Sequence, residues 1–193
     1  MKLKKIISPQ KAKKALSTGV NKTLETTVKI KRCINNLTTT PFQSKWLNPP
    51  TLARLTSAIS DAKKGHFGEI KLLIERSLPM SVAWNTSIEK RAKDWFHHLR
   101  IWDTKYRSGV LIYLNLAEHR LKIIPDERFV ADIEGNSEEI LESLADEALF
   151  ALYNHKRVEA LEELIKKIGE LMLNSWGEYG EIEEEISAEV LLR

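Results

Sequence analysis

Cysteine is almost absent: Cys33 is alone in a chain of 193 residues. One sulfur cannot make a disulfide framework within the chain or a Cys-x-x-Cys metal or redox site. The expectation is a reducing, cytoplasmic location. Long apolar runs are missing too. None approaches the roughly 20 residues a membrane helix needs. Near the start, Lys2, Lys4 and Lys5 lead only into Ile6-Ile7, so no signal-peptide core is read. There is no Gly-x-Ser-x-Gly, no Walker loop and no zinc ligand set, which removes the common nucleophile and phosphate-loop enzymes. The five histidines do not make up for this. His97 and His98 are adjacent, so a helix points them about 100° apart, not on one face as an i, i+4 metal pair requires. His119 and His155 fall in connections and read as exposed. His66 follows a helix end and is placed to hydrogen-bond its carbonyls. No internal repeat is visible.

What is present is a lopsided charge. Residues 1–45 carry eleven lysines and arginines against Glu25 alone, whereas the whole chain is only +3. The rest is therefore net acidic, ending in Glu178, Glu181, Glu183, Glu184, Glu185 and Glu189. Three parts follow: a basic arm over 1–45, partly helical or disordered and not packed on the core; an α/β domain over 46–176; and a solvated acidic tail over 177–193. Such an arm suits an anionic surface, or the chain's own acidic tail. Nucleic acid is a weaker partner for it, because aromatic residues barely interleave the lysines and the main domain is acidic.

The chain is organised around the stretch from Leu99 to Asp126. Val110-Leu111-Ile112-Tyr113-Leu114 is apolar on both alternating faces, which predicts a strand covered on both sides. Ala117-Glu118-His119-Arg120 reads as a turn, and Leu121-Lys122-Ile123-Ile124 as an antiparallel return strand. Pro125 ends it and presents Asp126 beyond the sheet. Upstream, Asn48-Pro49-Pro50 starts a helix through Leu52, Leu55, Ile59 and Ala62, closed at Gly65. Gly68 to Leu78 alternates as a first strand, with Ile70, Leu72 and Ile74 on one face. Trp84 is expected to plug an apolar hole. Thr86-x-x-Glu89 reads as a capping box for a helix whose stripe is Ile88, Ala92, Trp95, Phe96, Leu99 and Trp102. That stripe predicts a core position for Trp102. A short edge strand is expected at Phe129–Ile133. Two further helices follow, one capped by Asn136. The fold expected is a single α/β sandwich, a small mixed sheet with helices on both faces.

Trp102-Asp103-Thr104, Gly109-Val110-Leu111-Ile112-Tyr113-Leu114, Leu116-Ala117, Arg120, Ile123 and Asp126 resemble the TPM-domain family, in its bacterial cytosolic branch. Gly68-Glu69-Ile70, Arg91-Ala92 and Phe96 extend the resemblance, which covers about Leu47 to Trp176. The family's Asn-Asn-Gly is Arg107-Ser108-Gly109 here, and its Asp-Arg-Gly is Asp126-Glu127-Arg128. The resemblance implies an accessory domain that binds a protein partner, with a link to envelope proteins of the LemA type, and a cytoplasmic location peripheral to the inner membrane. It also implies divalent-ion binding and, through the plant thylakoid branch, a metal-dependent acid phosphatase as the alternative.

The residues offer one acidic constellation. Asp103 precedes the central strand, Asp126 follows its antiparallel neighbour, and Glu69 begins the first strand. In a strand–helix–strand unit with a hairpin, all three fall at one end of the sheet. Three carboxylates there would suit Ca2+ or Mg2+, with Arg100 or Arg107 meeting a phosphate or other anion. The other reading is structural: Asp103 ends a helix, Asp126 makes a turn, and Glu69 pairs with Arg100 or Arg107.

Overall fold

A computed structural model of the chain describes residues 9–38, 44–154, 156–177 and 185–193, with side chains from residue 23 onward. Helix α1 (Pro9–Thr38) comes first, then α2 (Pro49–Ala62), β1 (Glu69–Glu75), α3 (Met80–Asn85) and α4 (Ile88–His98). The hairpin β2 (Gly109–Asn115) and β3 (Arg120–Pro125) leads into α5 (Glu127–Asp132), α6 (Ser137–Tyr153) and α7 (Arg157–Trp176). A two-residue strand, β4 (Leu191–Leu192), closes the order. The sheet runs β3-β2-β1-β4; β1 is parallel to β2 and β4, and β2 is antiparallel to β3.

Every residue of β1 and β2 is buried, as an unbroken apolar run predicts for inner strands with helices on both sides. One face presents Ile70, Leu72, Ile74, Val110, Ile112 and Leu114 to α2, α6 and α7. The other presents Leu73, Leu111 and Tyr113 to Ile88, Ala92 and Phe96 of α4. The mixed α/β sandwich read from the sequence is therefore the fold. Asn48 caps α2 by accepting from the Thr51 amide at 3.0 Å, and Asn136 caps α6 through the Glu139 amide at 3.3 Å. Ser87, not Thr86, caps α4, accepting from the Lys90 amide at 3.1 Å.

Several expectations change. The segment Phe129–Ile133 is no edge strand: Asp126 accepts from the Glu127 amide at 2.8 Å and starts α5 instead. A short carboxylate at the N-cap satisfies an amide that a strand would have left to a ladder. Trp102 is 39% exposed and Ile101 is fully buried, because α4 ends at His98 and the turn after it shifts the stripe by one residue. Trp84 is also 39% exposed, with the Lys29 ammonium 6.0 Å from its ring centre, instead of filling an apolar hole in the core. The arm is packed over its last turns. Cys33 is buried, Arg32 pairs with Glu118 at 2.8 Å, and Asn36 accepts from the Leu78 amide at 2.5 Å. The apolar residues that marked a helix face there, Ile30, Ile34 and Leu37, stay exposed; the docking runs through Arg32, Asn36 and Cys33, which joins the core on the α4 side of the sheet. Residues 185–193 are no solvated tail, since β4 extends the sheet and Ala188 and Val190 are buried. Residues 178–184, with most of the glutamates, lie outside the described residues.

Candidate functional site

The register of the sheet brings the backbones of Glu69, Gly109 and Asp126 to one end. Glu69 is paired with Gly109, and the Asp126 amide donates to the Gly109 carbonyl at 2.8 Å. Gly109 is required there by close approach: a Cβ would overlap the carbonyl oxygen of Ile101. A Cβ on Gly68 would likewise run into the side chains of Met172 and Trp176, where α7 crosses. These contacts are the physical reason for two glycines in the sequence motif.

The carboxylates themselves take different partners. Glu69 is buried and lies 2.5 Å from the Lys63 ammonium, and its other oxygen accepts from the Glu185 amide at 2.9 Å. It pairs with neither Arg100 nor Arg107. Asp126 is buried too, held by its cap to Glu127 and by the Arg107 guanidinium at 3.2 Å. The Asp126 carboxylate in turn raises the pKa of Arg107 above the usual arginine value, the hydrogen bond being the main cause. Asp103 is exposed, with Arg100 at 3.9 Å. Among the described residues, no three His, Cys, Asp or Glu side chains group as metal ligands. Arg100 and Asp103 line a cleft of about 320 Å³ together with Lys71, Glu185 and Ser187. Glu69, Arg107 and Asp126 are not among its lining residues. Arg100 and Arg107 both have left-handed backbones, φ 52° and 55°. Asparagine tolerates that region better than arginine.

The opposite end of the sheet holds a network that sequence reasoning missed. Buried Glu75 accepts from the Tyr113 hydroxyl at 2.6 Å and from Arg91 at 2.5 and 3.2 Å. Asn115 donates to the same hydroxyl at 3.3 Å. Burial first, and the Glu75 hydrogen bond second, push the Tyr113 phenol far above its ordinary pKa. The Glu75 hydrogen bond likewise raises Arg91. The signal was available: Glu75 and Tyr113 follow from the alternation of two parallel strands, and Arg91 sits one turn into the helix between them. These bonds tie β1, β2 and α4 together and fix α4 on the sheet.

Comparison with known proteins places the chain. The model of the TPM domain matches residues 42–171. No curated protein matches significantly. Among solved structures, the NMR structure of the BA42 protein from the psychrophilic bacterium Bizionia argentinensis is similar, with a TM-score of 0.65 and 21% identity. The match covers 76% of this chain and 94% of that one, and it speaks to the fold alone.

Proposed function

As the chain belongs to the TPM-domain family, we propose that it is an accessory domain that docks on an anionic membrane surface through α1 and meets a protein partner there. One observation carries this reading: α1 is a 30-residue helix, basic in sequence, with an apolar surface left uncovered where it meets solvent. Leu24 and Val28, one turn apart, are each 58% exposed, and Ile34 and Leu37 are exposed further along. Exposed apolar residues interleaved with lysines suit the headgroup boundary of a bilayer, each lysine near an anionic surface contributing about 1 kcal/mol. No described helix is long and apolar enough to cross a membrane, so attachment by α1 would be peripheral. Because Arg32 and Asn36 tie α1 to the domain, a bound helix carries the domain with it.

The test is co-sedimentation with vesicles. Binding is expected to vesicles rich in phosphatidylglycerol, weak to phosphatidylcholine alone, and lost at high salt, where the Debye length falls to about 3 Å. Equal binding to both vesicle types, or no effect of Val28→Asp, would refute it.

Divalent-cation binding is the second part of the proposal, at the end of the sheet that Glu69 and Asp126 share. Its support is the burial of two carboxylates there; a bound ion has to displace Lys63 and Arg107. Calorimetry with calcium or magnesium, followed by an aryl-phosphate assay on the same sample, separates the readings. Heat without turnover supports the accessory domain. Saturable turnover removed by Asp126→Asn would favour the phosphatase instead.

A further inference from the structure

Residues 185–193 sit on the sheet in the manner of a bound peptide. β4 touches β1 over two register pairs, Leu73 with Leu191 and Ile74 with Leu192. Two more main-chain bonds extend the pairing: the Arg193 amide donates to Ile74 at 2.9 Å, and the Arg76 amide donates to Arg193 at 2.8 Å. Farther back, the body grips the segment mainly by its backbone. Lys63 donates to the Ile186 carbonyl at 2.6 Å and Lys71 to the Ser187 carbonyl at 2.8 Å. Glu69 accepts from the Glu185 amide at 2.9 Å. Three charged side chains, all largely buried, are thus spent on main-chain atoms that any extended peptide possesses.

The side-chain contacts are fewer and define a pattern. The Glu185 carboxylate accepts from the Lys105 amide at 2.8 Å. Ala188 and Val190 are buried against one core, while Ile186 and Leu191 pack on the other. The Arg193 guanidinium lies 5.8 Å from the Trp95 ring centre, with Arg91 at 4.8 Å from the same ring.

We propose that the outer edge of β1 is a strand-addition groove, that residues 185–193 are its resident occupant, and that an extended segment of a partner protein replaces them. The guest is a peptide that runs parallel to β1, with an acidic residue first, a small and an apolar residue at the buried positions, and a cation over Trp95. Main-chain pairing gives such a groove affinity, and the alternating pockets give it selectivity. The resident segment is tethered, so it competes at a high effective concentration, typically millimolar for a short linker. An intact chain therefore resists the guest, and weakening the segment opens the groove. This goes beyond the membrane reading and does not depend on it.

The experiment uses the full chain and a labelled synthetic peptide of residues 185–193. Val190→Asp puts a charge at a buried position of the segment and leaves the groove unchanged. The variant should bind the peptide at least tenfold more tightly than the wild type does, and a peptide carrying the same substitution should not bind. Equal affinity in the two chains would overturn the proposal. So would a variant that fails to fold, since the segment would then be an integral strand. In the wild type, the amides of Arg76 and Arg193 should exchange with solvent at least a hundredfold faster than those within the β1–β2 ladder. Exchange of both only on global unfolding would overturn it independently. Concentration-dependent dimerisation abolished by Val190→Asp would overturn the assignment of the guest to another protein.

Discussion

Acidification through the imidazole range should loosen the junction between α2 and β1, because His66 is held neutral there. The ring is buried. Its Nε2 lies 2.8 Å from the Ala62 carbonyl and so carries the proton, while Nδ1 accepts from the Gly68 amide at 3.0 Å. Both nitrogens are used by one neutral tautomer. A second proton would go to Nδ1 and face an N–H donor. Burial, the largest cause, lowers the pKa from its ordinary 6.5, and the Lys63 ammonium lowers it further. With the folded pKa below the unfolded one, the unfolded chain binds the proton first. Stability is then complete above about pH 6.5 and falls as the pH drops toward the folded value. One proton gives a limiting slope of about 1.4 kcal/mol per pH unit. A domain of this size shifts by about 2–4 °C per kcal/mol, so the loss is roughly 3–6 °C per pH unit within that window. Thermal melts of the wild type and of His66→Gln, compared across the window, isolate this contribution from the carboxylates and the exposed histidines. Parallel slopes for the two proteins would refute the reasoning, as would an NMR titration placing His66 at or above 6.5.

Gly109→Ala drives a methyl group into the Ile101 carbonyl; a loss of about 3 kcal/mol is expected, at the upper end for overpacking, and an unchanged denaturant midpoint would contradict it. Ile101→Ala should cost about 2–5 kcal/mol because its side chain is fully buried, whereas Trp102→Ala, half in solvent, should cost less than half as much. Chemical denaturation ranks the pair, and the reverse order would mean the turn after α4 is misplaced. Glu75→Gln leaves the Arg91 guanidinium facing a neutral amide. A loss of about 3 kcal/mol is expected, the low end for a broken buried pair because Arg91 keeps some contact with water. Adding Arg91→Met should recover part of it, and additive losses in that double-mutant cycle would show that the two groups do not interact.

The inner strands were legible because burial on both faces leaves a one-dimensional mark, the uninterrupted run from Val110 to Leu114. The hairpin was legible because a short polar turn leaves the chain no other way back. Phe129–Ile133 was misread because five residues carry too little periodicity to tell a strand from one and a half turns of helix. The deciding group was Asp126, three residues before the window, which caps the helix that begins at Glu127. Trp102 was misplaced for a related reason: the stripe was extended beyond His98, and a tight turn there moved the buried position to Ile101.

The candidate site divides along the same line. Register is a property of the backbone, so the arrival of Glu69 and Asp126 at one end of the sheet follows from the order of elements. The partner of a carboxylate is decided by whichever cation folding brings within reach. Lys63 sits six residues before Glu69 and across a helix end, where no period relates them. The Glu185 amide comes from a segment 116 residues away that the sequence marks only as acidic. Docking of α1 was hidden in the same way. A search for an apolar face selects Ile30, Ile34 and Leu37, which are the residues left for a surface, while the contact with the body runs through Arg32, Cys33 and Asn36. Anchors of this kind hold an element in place without covering its other apolar residues. A helix attached through Arg32, Cys33 and Asn36 keeps its other apolar residues available for something else, and that availability is what the vesicle experiment measures.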